Sequence, residues 1–103
     1  MPQGAERFAI DTYVVDALMP DLVGHDRRPS AFLVYLYLWR RSGGAARAAA
    51  ASLAMIADGT GLSKRAVQLA VAALARRQLV SIVKKSATAT PIFTLRCHWR
   101  ARA

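Results

Sequence analysis

Residues 57 to 80 read ADGTGLSKRAVQLAVAALARRQLV. Gly59-Thr60-Gly61 is a breaker, and Ser63 stands where a side-chain oxygen caps a helix. The run that follows is rich in alanine, and its larger apolar residues fall at helical spacing, which predicts a helix over 63–78. Charges cluster at its two ends, Lys64 and Arg65 at the start, Arg76 and Arg77 at the close. Cations in the last turn suit the helix dipole, whereas cations in the first turn oppose it. The first pair therefore needs a reason other than helix stability.

Upstream, Ser52 is placed to cap a short helix from Leu53 to about Asp58, which Gly59-Thr60-Gly61 then ends. Two helices joined by a tight glycine turn make a helix-turn-helix arrangement. Ala57, Gly61 and Val67 set its spacing: a small residue permits close approach of the second helix, and Gly61 tolerates a positive φ in the turn. Ile56, Leu62, Val67, Ala70, Val71 and Leu74 supply the shared core.

Before this pair, SAFLVYLYLWRRS belongs to a helix over 29–42. Pro29 is tolerated in its first turn, and Arg40-Arg41 followed by Gly43-Gly44 stops it. Its apolar residues wrap nearly all the way round, so both sides need cover. The segment 8–23 is expected to cover one side, as a short helix or an extended strip that Pro20 ends or kinks. Residues 24–28 read as a loop, and 45–51 (AARAAAA) suit either a helix extension or a short edge strand. Downstream, LVSIVKK (79–85) and IFTLRCHW (92–99) have the content of strands, joined through the small polar tip SATAT and Pro91. The fold class that follows is mainly α with a small β-hairpin. An acidic cover segment (1–28) precedes a three-helix core and C-terminal hairpin (29–103).

This Ala…Gly…Val spacing, followed by a basic hairpin, resembles the winged helix-turn-helix DNA-binding families over about residues 29–99. LAMIADGTGLSKRAVQLAVAALARRQLV is similar to the segment such proteins share, departing from it at Ala66, where Thr is common, and at Gln78, where Gly usually ends the helix. The resemblance implies that the second helix lies in the major groove with its N-terminal residues at the base edges. On this chain the implied contact face is Ser63, Lys64, Arg65 and Gln68, with Leu69 and Ala72 one turn on. Arg65 or Lys64 suits guanine O6/N7, and Gln68 suits adenine N6/N7. Lys84, Lys85 and Thr88 on the wing, residues 84–91, would reach the backbone or a minor groove, with Thr60 a weaker phosphate candidate at the turn. Each also has a structural role to weigh. Ser63 caps its helix with or without DNA, Lys84 and Lys85 guard a strand edge, and Arg40, Arg41, Arg76 and Arg77 suit helix C-termini.

Charge supports the same partner. The formal net charge is +9 with a pI near 11.1. Residues 1–26 carry −4 and the remainder +13, so the basic character belongs to the folded body, which fits a polyanion. A lone cysteine, Cys97, rules out an intramolecular disulfide and is expected as a strand core residue. Residues 31–39 are about half the ~20 apolar residues a bilayer span needs. The N-terminus lacks the pattern of a signal peptide, so a cytoplasmic location without membrane association is expected. His25, His98 and Cys97 make a poor metal set. Asp58 is the only acid after residue 26, which argues against carboxylate-based catalysis. Neither an enzymatic activity nor a cofactor is expected.

The leading expectation is a sequence-specific double-stranded DNA binder, a small bacterial or phage-type transcriptional regulator acting as a homodimer. A replication or plasmid-maintenance module is the alternative within that class. A winged helix that docks an acidic protein partner is the alternative outside it. The acidic N-terminal segment or the helix over 29–42 is the expected interface with a second copy or another protein.

Overall fold

The computed structural model describes residues 4–100. The outermost three residues of the 1–28 segment and of the 29–103 segment lie outside the described residues. Three α-helices, α1 (Pro29–Arg41), α2 (Leu53–Thr60) and α3 (Lys64–Arg76), pack with a small antiparallel sheet of β1 (Ala49–Ala50), β2 (Val80–Val83) and β3 (Ile92–Leu95). The spatial order is β1-β3-β2. This is a mainly α fold of winged helix-turn-helix type, preceded by an additional N-terminal helix.

The central element is α1. Ala31, Phe32, Val34, Tyr35, Leu38 and Trp39 are all buried along it. It contacts α2, α3, the N-terminal helix and β3, so most of its apolar circumference is covered as expected, and Leu33, 43% exposed, is the residue left open. Each large apolar side chain so buried contributes about 1.5–3 kcal/mol. Ser42, fully buried at the helix end, donates to the Trp39 carbonyl at 3.2 Å and accepts from Ala45 N at 3.0 Å. Its polar atom is thereby satisfied inside the core.

The N-terminal segment is helical through most of its length, in two consecutive π-helical stretches, Val14–Leu18 and Pro20–His25. Pro20 does not end it, because it opens the second stretch, where a missing N–H costs little. Val14, Leu18 and Leu22 recur every fourth residue and are buried, a spacing that suits the wide i→i+5 turn. The expected loop over 24–28 is correspondingly shorter, since helix runs to His25.

Helix α2 passes through Gly59 and Thr60 instead of stopping near Asp58, and Gly61 ends it at φ +80°. Gly59 has a packing role: a Cβ there would fall inside the Tyr37 ring. A second close approach, which the sequence does not signal, is thus made at Gly59 against Tyr37 of α1. Residues 45–51 resolve as turn followed by edge strand, with Ala49 opposite Phe93 and Ala50 opposite Ile92. Both strands of the hairpin are shorter than the sequence suggests. Lys84 and Lys85 fall in the loop beyond β2, and His98–Arg100 forms a 3₁₀ turn. The chain leaves the sheet after Leu95 because Trp99 swings inward, stacking on Tyr13 at 4.5 Å between centroids and on Trp39 at 6.5 Å. Cys97 is therefore half-buried just past the strand, its thiol 3.9 Å from the Tyr35 hydroxyl. Burial raises the pKa of both groups.

Candidate nucleic-acid interface

The geometry of the α2–α3 pair follows from its caps. Ser52 Oγ accepts from Met55 N at 3.1 Å, and Ser63 Oγ accepts from Ala66 N at 3.1 Å. Each serine holds one of the N–H groups a helix start leaves open. The Thr60 hydroxyl donates to the Ile56 carbonyl at 2.7 Å and accepts from Leu62 N at 3.3 Å. Its hydrogen-bonding capacity goes into the turn itself, and it borders a different groove from the basic residues, beside Phe8, Leu36, Tyr37 and Arg40.

Helix α3 buries Val67, Ala70, Ala73 and Leu74, and this fixes which side chains point out. Ser63, Lys64, Arg65, Gln68, Leu69 and Ala72 are all exposed. Arg65 Nη1 donates to Gln68 Oε1 at 3.4 Å, so one turn of helix pairs these two groups. That contact orients the Gln68 amide and leaves its NH2 group and most of the guanidinium directed to solvent. Leu69, 42% exposed, adds an apolar contact on the same face, the kind of group that meets a thymine methyl.

The hairpin brings a second set of cations to this end of the molecule. Its register pairs Val83 with Ile92, so residues 84–91 form the wing. Lys84 and Thr88 share a groove of about 340 Å³ with Lys64 and with Ser52, Leu53 and Ala54, the first turn of α2. Lys85 is exposed at the base of the wing but is not among the residues lining that groove. Sequence reasoning named Lys64, Lys84 and Thr88 separately and missed that they converge. It also missed the first turn of α2, whose open N–H groups add positive potential to the same groove. The Ser52 cap was the available signal, since it marks where that turn begins.

Three of the other arginines are held by the acidic segment. Arg77 pairs with Asp21 and Asp26, Arg100 with Asp11 at 2.6 Å, and Arg40 with Glu6 at 3.8 Å. Asp11 also accepts from Trp99 Nε1 at 2.8 Å. The Arg100 hydrogen bonds, then that of Trp99, hold the Asp11 carboxyl below its usual range. Asp26 is lowered too, first by its hydrogen bond from His25 and then by the charge of Arg77. Arg40 additionally lies over the Phe8 ring at 5.7 Å, and Trp39 Nε1 donates to the Ala9 carbonyl at 2.8 Å. The N-terminal segment is thus clasped to α1, the end of α3 and the C-terminal turn. Among the described residues none of its acids pairs with Lys64, Arg65, Lys84 or Lys85. The positive potential at the start of α3 and on the wing is left unneutralised, while that at the far end of α3 is partly cancelled.

A family model described as a helix-turn-helix domain matches residues 28–80, just over half of the chain. The match takes in α1, β1, α2 and α3; the N-terminal helix and the wing fall outside it. No curated protein and no solved structure matches the chain.

Proposed function

Because the chain belongs to the helix-turn-helix family of DNA-binding domains, we propose that it reads a specific double-stranded sequence through the start of α3. The observation that carries this reading is the convergence of exposed Lys64, Lys84 and Thr88 on one groove beside the outward Arg65–Gln68 pair. In the proposed complex the first turns of α3 enter the major groove. Arg65 donates to guanine, Gln68 bonds adenine, and Leu69 and Ala72 contact base edges further along. Lys64, Lys84, Lys85 and the first turn of α2 hold phosphates on either side, and Thr88 extends the wing toward the backbone or the minor groove. Ser63 remains the helix cap and Thr60 the turn lock.

A site read by one helix is short, so a homodimer on a repeated half-site is part of the proposal. The biological role that fits a small domain of this kind is transcriptional regulation in the cytoplasm. A replication or maintenance factor would use the same contacts.

Selection of bound duplexes from a random library would supply the cognate site, after which single substitutions test the assignment. Arg65→Ala or Gln68→Ala is expected to cost about 1–3 kcal/mol on the cognate site and much less on random duplex. An Arg65→Ala protein with undiminished site preference would show that α3 does not read the bases through this turn.

A further inference from the structure

The outward stripe of α3 runs through Arg65, Gln68, Leu69, Ala72, Ala75 and Arg76, all exposed. Lys64 borders it and lines the groove shared with Lys84 and Thr88. Between Gln68 and Arg76 the stripe carries Leu69 and alanines, with no side chain that forms a hydrogen bond. Arg76 stands roughly 16 Å from Arg65 along the helix axis, at the opposite end from the first turn. Arg65 and Gln68 are therefore the two groups with which the start of α3 can read bases by hydrogen bonding.

These two groups are joined. Arg65 Nη1 donates to Gln68 Oε1 at 3.4 Å, and among the described residues neither side chain has another hydrogen-bond partner. A neutral amide holds the guanidinium without cancelling its charge, as a carboxylate at this position would. The guanidinium keeps its other donors, enough for the guanine O6/N7 pair. Gln68 Oε1 keeps a free lone pair and the amide keeps both its N–H donors. That is the acceptor-and-donor set adenine N6/N7 requires. Successive bases on a strand are about 3.4 Å apart along the duplex axis. Two tips in contact at that distance reach neighbouring base pairs, and reaching further would break the contact.

We infer that Arg65 and Gln68 act as one unit that reads a guanine and an adenine in consecutive base pairs, and that this step is the hydrogen-bonded core of each half-site. The inference rests on the reading of α3 as the groove helix, and adds to it the register of the two bases and their interdependence. Leu69 flanks the core with an apolar contact of the kind that meets a thymine methyl.

Selection from a random duplex library tests this, run in parallel on the wild type, Arg65→Ala, Gln68→Ala, the double variant and Gln68→Glu, with circular dichroism as the control for folding. The wild type is expected to select a site with G and A in adjacent pairs. Arg65→Ala is expected to lose about tenfold or more of the guanine preference. It should also weaken the adenine preference next to it, because Gln68 loses the group that orients it. The double variant should then lose less than the product of the two single losses. Gln68→Glu keeps a partner for Arg65 but has no donor for adenine N7, and its carboxylate accepts from cytosine N4. The adenine position is expected to turn to cytosine while the guanine preference stays. A contact that only steadied the helix would produce none of these shifts. Arg65-dependent and Gln68-dependent positions separated by an intervening base pair, or single losses that combine independently, overturn the inference while leaving α3 in the groove. A wild type that binds duplex without sequence preference, or an Arg65→Ala protein that keeps the full preference, overturns the groove reading as well.

Discussion

Gln78 occupies a position that glycine normally fills, and replacing it is the sharpest test of how α3 hands the chain to the wing. Its φ is +58°. Gln78 N donates to the Ala75 carbonyl at 3.0 Å and Leu79 N to the Leu74 carbonyl at 2.9 Å. These are the two bonds of a Schellman cap, and Leu79 and Leu74 are the buried apolar pair that accompanies it. The same motif ends α1, where Gly43 at φ +64° takes the left-handed position and Gly44 N donates to the Trp39 carbonyl at 2.8 Å. A side chain in this conformation costs about 1–2 kcal/mol, while glycine returns about 0.5–1 kcal/mol through the freedom it loses on folding. The difference predicts that Gln78→Gly stabilises the protein by about 0.5–1 kcal/mol. For a domain of this length that corresponds to a rise of roughly 2–8 °C in Tm. Gln78→Val, β-branched and poorly suited to positive φ, is expected to lose about 1 kcal/mol. Gly43→Ala should be destabilising by a similar amount. Urea unfolding of the four proteins, followed by circular dichroism, measures all three differences. A Gln78→Gly protein less stable than the wild type, with Gln78→Val unchanged, would refute the backbone assignment.

Two further perturbations address the clasp and the wing. Asp11 is depressed below its ordinary pKa by Arg100 and Trp99, so the clasp contributes stability that is present above the unfolded pKa of about 3.9 and disappears as the pH falls through the folded value. Asp11→Asn is therefore expected to lower Tm at pH 7, by an amount equivalent to about 1 kcal/mol or less for a partly exposed pair. The gap from wild type should close below about pH 4; a gap that is constant with pH would contradict the electrostatic origin. On the wing, Lys84→Ala should weaken binding to cognate and random duplexes about equally and flatten the salt slope by about one contact. A selective loss on the cognate site would place Lys84 at a base edge instead.

What was legible in the sequence is what local chemistry decides. Ser52, Ser63 and Gly61 announce two helix starts and the turn between them, and each does so within a few residues of its effect. The buried and exposed faces of α3 follow from the spacing of Val67, Ala70 and Leu74. The cations of Lys64, Arg65 and Lys84 were likewise visible as charge. Features set by distant partners were not legible. Asp11 meets Trp99 and Arg100 across almost the whole chain, and nothing near Asp11 marks it as their partner. Gly59 reads locally as a helix breaker, but the Tyr37 ring from α1 makes it a packing residue inside a helix. The N-terminal helix continues through Pro20 because Leu22 has a buried position to fill, a tertiary reason that outweighs the local signal. β1 consists of two alanines whose only qualification as a strand is the free edge of β3.

The uncancelled cations at the start of α3 and on the wing are proposed to bind duplex DNA. The direct measurement is fluorescence anisotropy of a labelled duplex titrated with the full chain, repeated from about 50 to about 300 mM salt. With Lys64, Lys84 and Lys85 as the phosphate-facing set, about three contacts per copy predict a slope of log K against log salt near −3. Replacing Lys64, Lys84 and Lys85 together by alanine is expected to remove most of that slope. Absence of binding at the lowest salt, or an affinity indifferent to salt, would contradict the account.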